Sequence, residues 1–356
     1  MRRSRECIRC LLAAIRDFAL APASPYPLAY FRIGIALVLL AQANALSAHL
    51  LELFGKLGIV QWEIGEVVLR PWMPRLGWLA KYLRPYGILE DGCVYITFLI
   101  HLVALSGLLL GWHTRACALF SWFTHLLLTD SGNFAAYGLA AFAHIALTYC
   151  VVMPVGETLS FDHWAGRTAG GPSAAARLSL RVLQVHLCIV YLASGLEKAK
   201  GIQWWNGEAM WRSVMQPQFA QFDMAWLASV PALAVMATWA TLFVETGYAV
   251  LVWPRSTRIL WVTLTVGLHL GIGVFLGLWL FAAMMIVLTV SAFAAPELER
   301  CRLSGQHWIR EVWQLSERTS AAPQPNAGLP PLNEAMRRPE LSASNPAPPP
   351  SRRMRG

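Results

Sequence analysis

Charge is what this chain has little of. Only 14% of its 356 residues are Asp, Glu, Lys or Arg, where soluble domains carry roughly 25%. With 56% hydrophobic residues and a mean hydropathy of +0.46, that deficit excludes a water-soluble core of this size. Acidic residues are scarcest, and the formal net charge is +9. The basic residues flank apolar runs and both termini instead of forming one face, which excludes nucleic acid as a partner. Metal-binding signatures and internal repeats are absent. The seven cysteines are odd in number and scattered. Cys93, Cys117, Cys150 and Cys188 lie in or beside apolar runs and read as small core residues. Cys7 and Cys10 form a lone Cys-x-x-Cys with no second pair, a weak metal or redox signal that reads as two free juxtamembrane thiols.

Long apolar runs are what the chain has instead. Eight can be marked, at about 27–47, 93–111, 116–129, 134–154, 182–198, 231–253, 257–277 and 279–296. Backbone polar groups in lipid must be satisfied within the segment, so the fold class expected is all-α, a polytopic membrane protein with about eight transmembrane helices. The run 116–129 is short for a bilayer, and Gly277-Leu-Trp279 leaves room only for a tight turn. Within 48–92, Leu50–Phe54 and Val67–Trp72 to Trp78–Tyr82 are amphipathic and aromatic. They read as helices lying in the interface and as a possible roof over a cavity between the spans. Sixteen Trp and nine Tyr fit the aromatic belts of bilayer surfaces.

With the N-terminus in the cytoplasm, 20 Lys and Arg fall on the inner side and 8 on the outer. This places both termini inside and the chain in the inner membrane of a bacterium-like cell. Residues 1–24 form a basic cytoplasmic N-terminus, 25–296 the membrane domain, and 297–356 a cytoplasmic tail. From about Ala321 the tail is rich in Pro, Ala, Ser and Arg and is expected to be disordered, with some affinity for anionic lipid. Ile33 to Leu40 followed by Ala41–Ala45 also has the look of a cleaved signal peptide. An uncleaved span is preferred, because the preceding region is long and contains Arg32.

The polar residues inside these runs are the functional candidates, since charge there is costly. Tyr191, Ser194 and Lys198 share one face of the fifth helix, while His186 and Glu197 share another. Gly195 permits close approach by a neighbouring helix. Lys198 is either a base or, with Lys200, an anchor reaching the headgroups. Arg32 and Glu245 should face the bundle, where they set helix registry or join a polar site. A direct pair between them requires tilt or stagger. His101, His125, His144, His186 and His269 fall in spans, and histidines on facing helices keep a haem- or metal-ligating electron carrier open as a rival to hydrogen-bonded core histidines.

Leu28-Ala-Tyr-Phe-Arg32-Ile-Gly, Leu53-Phe-Gly-Lys-Leu-Gly58, Tyr191-Leu-Ala-Ser-Gly-Leu-Glu-Lys198 with Trp204-Trp205-Asn-Gly207, Glu245-Thr-Gly247 and His269-Leu-Gly-Ile272 occur in that order. Over about 25–296 the chain resembles the horizontally transferred transmembrane (HTTM) domain family, whose best-known relative is the vitamin K-dependent gamma-carboxylase. The resemblance implies a reduced, vitamin K-like quinone as cofactor, in a cavity near the outer leaflet between helices five, six and seven. In the carboxylase the lysine ending this motif deprotonates the quinone, and the strong base formed with oxygen takes a proton from a glutamate that captures carbon dioxide. On this chain that lysine is Lys198, with His269 as its proton or hydrogen-bond partner. Tyr191, Trp205, Glu245 and Arg32 are the candidate cofactor-binding residues, and no metal is expected.

There are departures from the carboxylase. Glu197 stands where it has a lysine, and Asn133 stands where a histidine precedes its Tyr-Gly pair, here Tyr137-Gly138. No large substrate-holding domain follows the last helix. The expectation is therefore a quinone-dependent, carboxylase- or oxygenase-like membrane enzyme, a lyase if it carboxylates. A non-catalytic membrane protein that binds lipid or a partner protein is the alternative.

Overall fold

The computed structural model describes residues 2–59, 61–68, 72–131 and 138–302. The readings made for Asn133, for Tyr137, for the middle of 67–72 and for the tail from Ala321 lie outside them. Among the described residues the elements are helical, and the one β-type pairing is an isolated bridge between Ala23 and Ser173.

In chain order the helices are α1 (Arg2–Leu20), α2 (Tyr26–Ser47), α3 (Leu50–Phe54), α4 (Trp62–Val68), α5 (Leu76–Leu83), α6 (Glu90–Leu110), α7 (Thr114–Ser131) and α8 (Gly138–Val152). There follow α9 (Phe161–Trp164), α10 (Ala174–Ala199), α11 (Ile202–Trp205), α12 (Glu208–Val214), α13 (Pro231–Leu251), α14 (Arg255–Leu276) and α15 (Trp279–Thr289). Beyond α15, a π turn over Val290–Ala294 carries the helix on to Arg302. Six helices are long and apolar enough to cross a membrane: α2, α6, α10, α13, α14 and the continuous Trp279–Arg302. The runs expected at 116–129 and 134–154 are the helices α7 and α8. They pack in series on α6, and α8 also meets α15.

The core lies where α2, α6, α8, α10 and α15 converge. Phe31, Ile35, Leu39, Leu105, Leu139, Leu147 and Met284 are fully buried there. The π turn frees a carbonyl, and Gln184 on α10 donates to it at Ala292 O, 2.7 Å away. Gly277 has φ +69° and ends α14 in a left-handed cap, so α15 can begin two residues later.

Three elements differ from expectation. Residues 2–20, read only as a basic terminus, form the helix α1, which packs on α10. Its Ile8, Leu11, Leu12, Ile15 and Phe18 recur at i, i+3, i+4, i+7 and i+10, a periodicity the low overall hydropathy of the stretch conceals. The helix expected from 182 begins at Ala174, where Ser173 accepts the N–H of Ala176 at 3.1 Å as an N-cap. The short helices α3 and α5 do cover the bundle, but over its α2–α6–α7 side, where Leu50, Phe54, Leu76 and Ala80 pack with Cys93, Phe98 and Leu127.

Candidate functional site

The tightest polar contact between apolar helices joins α10 to α13. A Cβ on Gly195 would stand 2.7 Å from Thr246 Cγ2 and 3.0 Å from the Thr246 backbone nitrogen. The missing side chain is what lets the two helices touch. One turn further along α10, Lys198 Nζ donates to Glu245 Oε2 at 2.6 Å, to Glu245 Oε1 at 2.9 Å and to Ser194 Oγ at 2.6 Å. The three hydrogens of the ammonium therefore have three acceptors. The Glu245 side chain is 8% exposed and that of Lys198 25%. The Lys198 charge also lies 5.4 Å above the centre of the Trp204 ring.

Deeper on the same face of α10, the Tyr191 hydroxyl and His269 Nε2 of α14 share a hydrogen bond of 2.7 Å. The Tyr191 ring packs at 4.2 Å, centroid to centroid, on Tyr248 of α13. His269 Nδ1 and the Tyr248 hydroxyl are buried without partners. The site is thus one polar seam along three helices, from the partly open Lys198 down to the closed Tyr191–His269 pair.

Of the residues expected to act together, Lys198, Glu245, Tyr191 and His269 are brought together. Trp205 and Arg32 are not. Trp205 is half exposed and its indole N–H caps Ala199 O at 2.8 Å, while Trp239 donates to its carbonyl at 2.9 Å. It latches α11 to α10 and α13, and its neighbour Trp204 is the ring beside Lys198. The α11 turn that follows Gly201 decides which of the two adjacent indoles faces inward, and the sequence does not show that. Glu197 points away, in an exposed 2.6 Å pair with Lys200.

Arg32 is fully buried elsewhere. The Ala23–Ser173 bridge starts α2 and α10 at the same end of the bundle. Arg32 lies nine residues from that bridge and Lys198 twenty-five, a difference of about 24 Å of helix. Arg32 donates to the Leu159 carbonyl and packs against Gly111. It therefore ties α2 to the α6–α7 and α8–α9 connections. Asp162 holds the same loops from outside the spans. It accepts from His113 N at 3.0 Å, Thr114 N at 2.8 Å, Thr114 Oγ1 at 2.7 Å and Arg167 Nη1 at 3.0 Å. Burial alone would raise its pKa, but these hydrogen bonds outweigh that and hold the carboxyl below its usual range.

Sequence spacing could not show that three histidines on three different helices meet. His125 Nδ1 lies 3.2 Å from His144 Nε2, the His101 and His125 rings are 5.8 Å apart, and His101 Nδ1 pairs with Thr124 Oγ1 at 2.8 Å. At 3.2 Å the His125 and His144 nitrogens are within hydrogen-bonding distance, one imidazole donating to the other. His186 is partnered separately, by the Tyr149 hydroxyl at 2.8 Å. Among the described residues no group of three or more His, Cys, Asp or Glu could hold a metal ion.

Six crossing-length apolar helices around a buried polar seam make this a multi-pass membrane protein. A family model described as the HTTM domain matches residues 79–297, and the chain belongs to that family. The match contains Tyr191, Lys198, Trp204, Glu245 and His269, while Arg32 and the Leu53–Gly58 motif precede it. No protein of curated function and no solved structure matches the chain.

Proposed function

We propose that the chain is a quinone-dependent membrane enzyme of the carboxylase or oxygenase kind, with Lys198 as its base. The observation that carries this reading is the Lys198–Glu245–Ser194 cluster, an amine and a carboxylate in direct contact at the mouth of the polar seam. As it stands, Nζ has no free lone pair. Passing one hydrogen from Nζ to Glu245 Oε2 leaves a neutral amine beside a neutral acid, and the amine can then accept a proton from a weakly acidic hydroxyl. Glu245 is therefore part of the proton-accepting unit. Ser194 keeps Nζ oriented while the hydrogen moves.

The residues present suit a reduced quinone. Trp204 offers an aromatic face next to the amine, and His269 Nδ1 is a buried, unpartnered polar atom on the seam. When bound, such a group would supply the acidic hydroxyl and two reducing electrons. Tyr191 fixes His269 through Nε2, so that Nδ1 is the nitrogen left for a ligand.

The test uses the full chain in phosphatidylcholine nanodiscs with short-chain reduced menaquinone, following oxygen uptake and quinone products. Lys198→Ala should lower turnover by about 10²–10⁴-fold. Lys198→Arg should melt like the parent, keep the ion pair and still lose turnover. Turnover retained in a folded Lys198→Ala protein defeats the base assignment. The saturated hydrogen bonding of Lys198 favours a second reading, a non-catalytic protein that binds lipid or a partner protein. Absence of turnover together with absence of quinone from the co-purified lipids would select it.

We also propose eight crossings, α7 and α8 supplying the pair beyond the six, with both termini in the cytoplasm and the chain in the inner membrane. Cys7, Cys10 and Cys301 are free and exposed. A membrane-impermeant maleimide should label them in inverted vesicles and not in right-side-out ones. The opposite pattern would reverse the orientation.

A further inference from the structure

At the end of the bundle remote from Lys198 lies a cavity of about 450 Å³ between the α1–α2 connection, the first turn of α2, α10, α14 and the Val290–Arg302 stretch. Arg181 lies seventeen residues from Lys198 along α10, about 26 Å of helix, which is most of a bilayer's hydrocarbon thickness of roughly 30 Å. The charged residues lining the cavity are Arg177, Arg181, Arg255, Arg258, Arg300 and Glu299. The nearby acids are already engaged. Glu297 is paired with both Arg258 and Arg300, and Glu299 with Arg302 at 3.0 Å. Arg177, Arg181 and Arg255 have no carboxylate partner among the described residues.

We propose that this cavity binds a phosphate-bearing anion, the headgroup of an anionic glycerophospholipid. Arg177, Arg181 and Arg255 line one hollow without a carboxylate partner, Arg181 being held there by the Phe18 ring and by Gln184 Oε1 at 2.8 Å; like charges so gathered favour an anion between them, and planar guanidinium donors match phosphate oxygens. The flank of the cavity gives the lipid as source. Arg177 Nε donates to Ala21 O at 2.7 Å and Arg181 Nε to Phe18 O at 3.1 Å, which fixes the end of α1 beside the cavity. Leu11, Leu12 and Ile15 of α1 are 60%, 60% and 55% exposed, a row of apolar side chains leading away from the arginines. An amphipathic helix of that kind sits at headgroup depth. Its apolar row offers acyl chains a surface, and free phosphate has no use for one.

The test titrates the detergent-solubilised full chain with dioctanoyl-phosphatidylglycerol, dioctanoyl-phosphatidylcholine and inorganic phosphate, by calorimetry. The variant is Arg255→Gln, since Arg255 has no polar partner among the described residues and its loss removes charge without breaking a contact. The glycerol lipid should bind at least about fivefold more tightly than the choline lipid, and Arg255→Gln should weaken it by about fivefold, the usual worth of one basic residue at a lipid surface. Arg84→Gln, a surface charge on the 3-10 turn after α5, should leave affinity unchanged. Equal affinity for both lipids, or indifference to Arg255→Gln in a protein that melts normally, overturns the site. Inorganic phosphate binding as tightly as the lipid, with the same dependence on Arg255, overturns the lipid assignment.

Discussion

Lys198 and Glu245, forty-seven residues apart, meet at 2.6 Å across the contact between α10 and α13. Neither side chain has another ionic partner among the described residues, so each compensates for the burial of the other. Lys198→Met should leave Glu245 charged and 8% exposed, at a cost of about 3 kcal/mol. Glu245→Leu should cost a similar amount. The double variant should recover most of the loss, and a double-mutant cycle from thermal melts in detergent measures the difference. Strict additivity of the two losses would mean that the pair does not form.

Gly195→Ala separates two opposing effects. Alanine in a helix is favoured over glycine by roughly 0.5–1 kcal/mol, but overpacking costs roughly 1–3 kcal/mol. The new Cβ would press on the Thr246 backbone nitrogen, which cannot turn aside as a side chain could. The steric effect should win, so the melting temperature should fall. A rise would mean that α10 and α13 stand further apart than the 3.0 Å approach at Thr246 N requires.

Asp162 should give the protein part of its acid sensitivity. Its folded pKa is depressed by its hydrogen bonds to Thr114 and Arg167, against the effect of burial. Its contribution to stability is therefore complete above the unfolded aspartate value near 4. It is lost as pH falls through the lower folded value. Denaturation midpoints followed from pH 6 downward should decline less steeply in Asp162→Asn than in the parent. Parallel acid limbs would remove Asp162 from the account.

Tyr191→Phe removes one hydroxyl and should leave both nitrogens of His269 without partners. Such an orphaned group costs about 1–3 kcal/mol, read as a lower melting temperature. Tyr191→Phe/His269→Phe should be less destabilised than the sum of the single changes, because both orphans go together.

Much of this was readable from the chain. Six of the eight apolar runs are helices of crossing length, because a helix in lipid needs about twenty apolar residues whatever surrounds it. The 100° step placed Tyr191, Ser194 and Lys198 on one face, and Gly195 marked the close approach. The stagger of neighbouring helices was not readable. Glu245 meets Lys198 because α13 slides along α10 to a register set by Gly195 and by the Trp205–Trp239 latch, and a linear pattern holds no record of that slide. Arg32 near one end of its run and Glu245 near the middle of its own already differed in depth along the chain; what the pattern did not hold is that Arg32 turns to the Leu159 carbonyl and Glu245 to Lys198. The three clustered histidines stayed hidden because α6, α7 and α8 each contribute one.

The arginines that hold α1 also set an order of events during synthesis. Phe18 and Ala21 leave the ribosome 163 and 156 residues before Arg181 and Arg177, their carbonyls' partners. Until α10 has been made, α1 lacks the neighbour it packs against. Although translated well before α10, α1 is therefore fixed in place only after it. A nascent chain halted before residue 177 would carry α1 as an arm without these two tethers, which limited proteolysis should cut sooner than in the full chain.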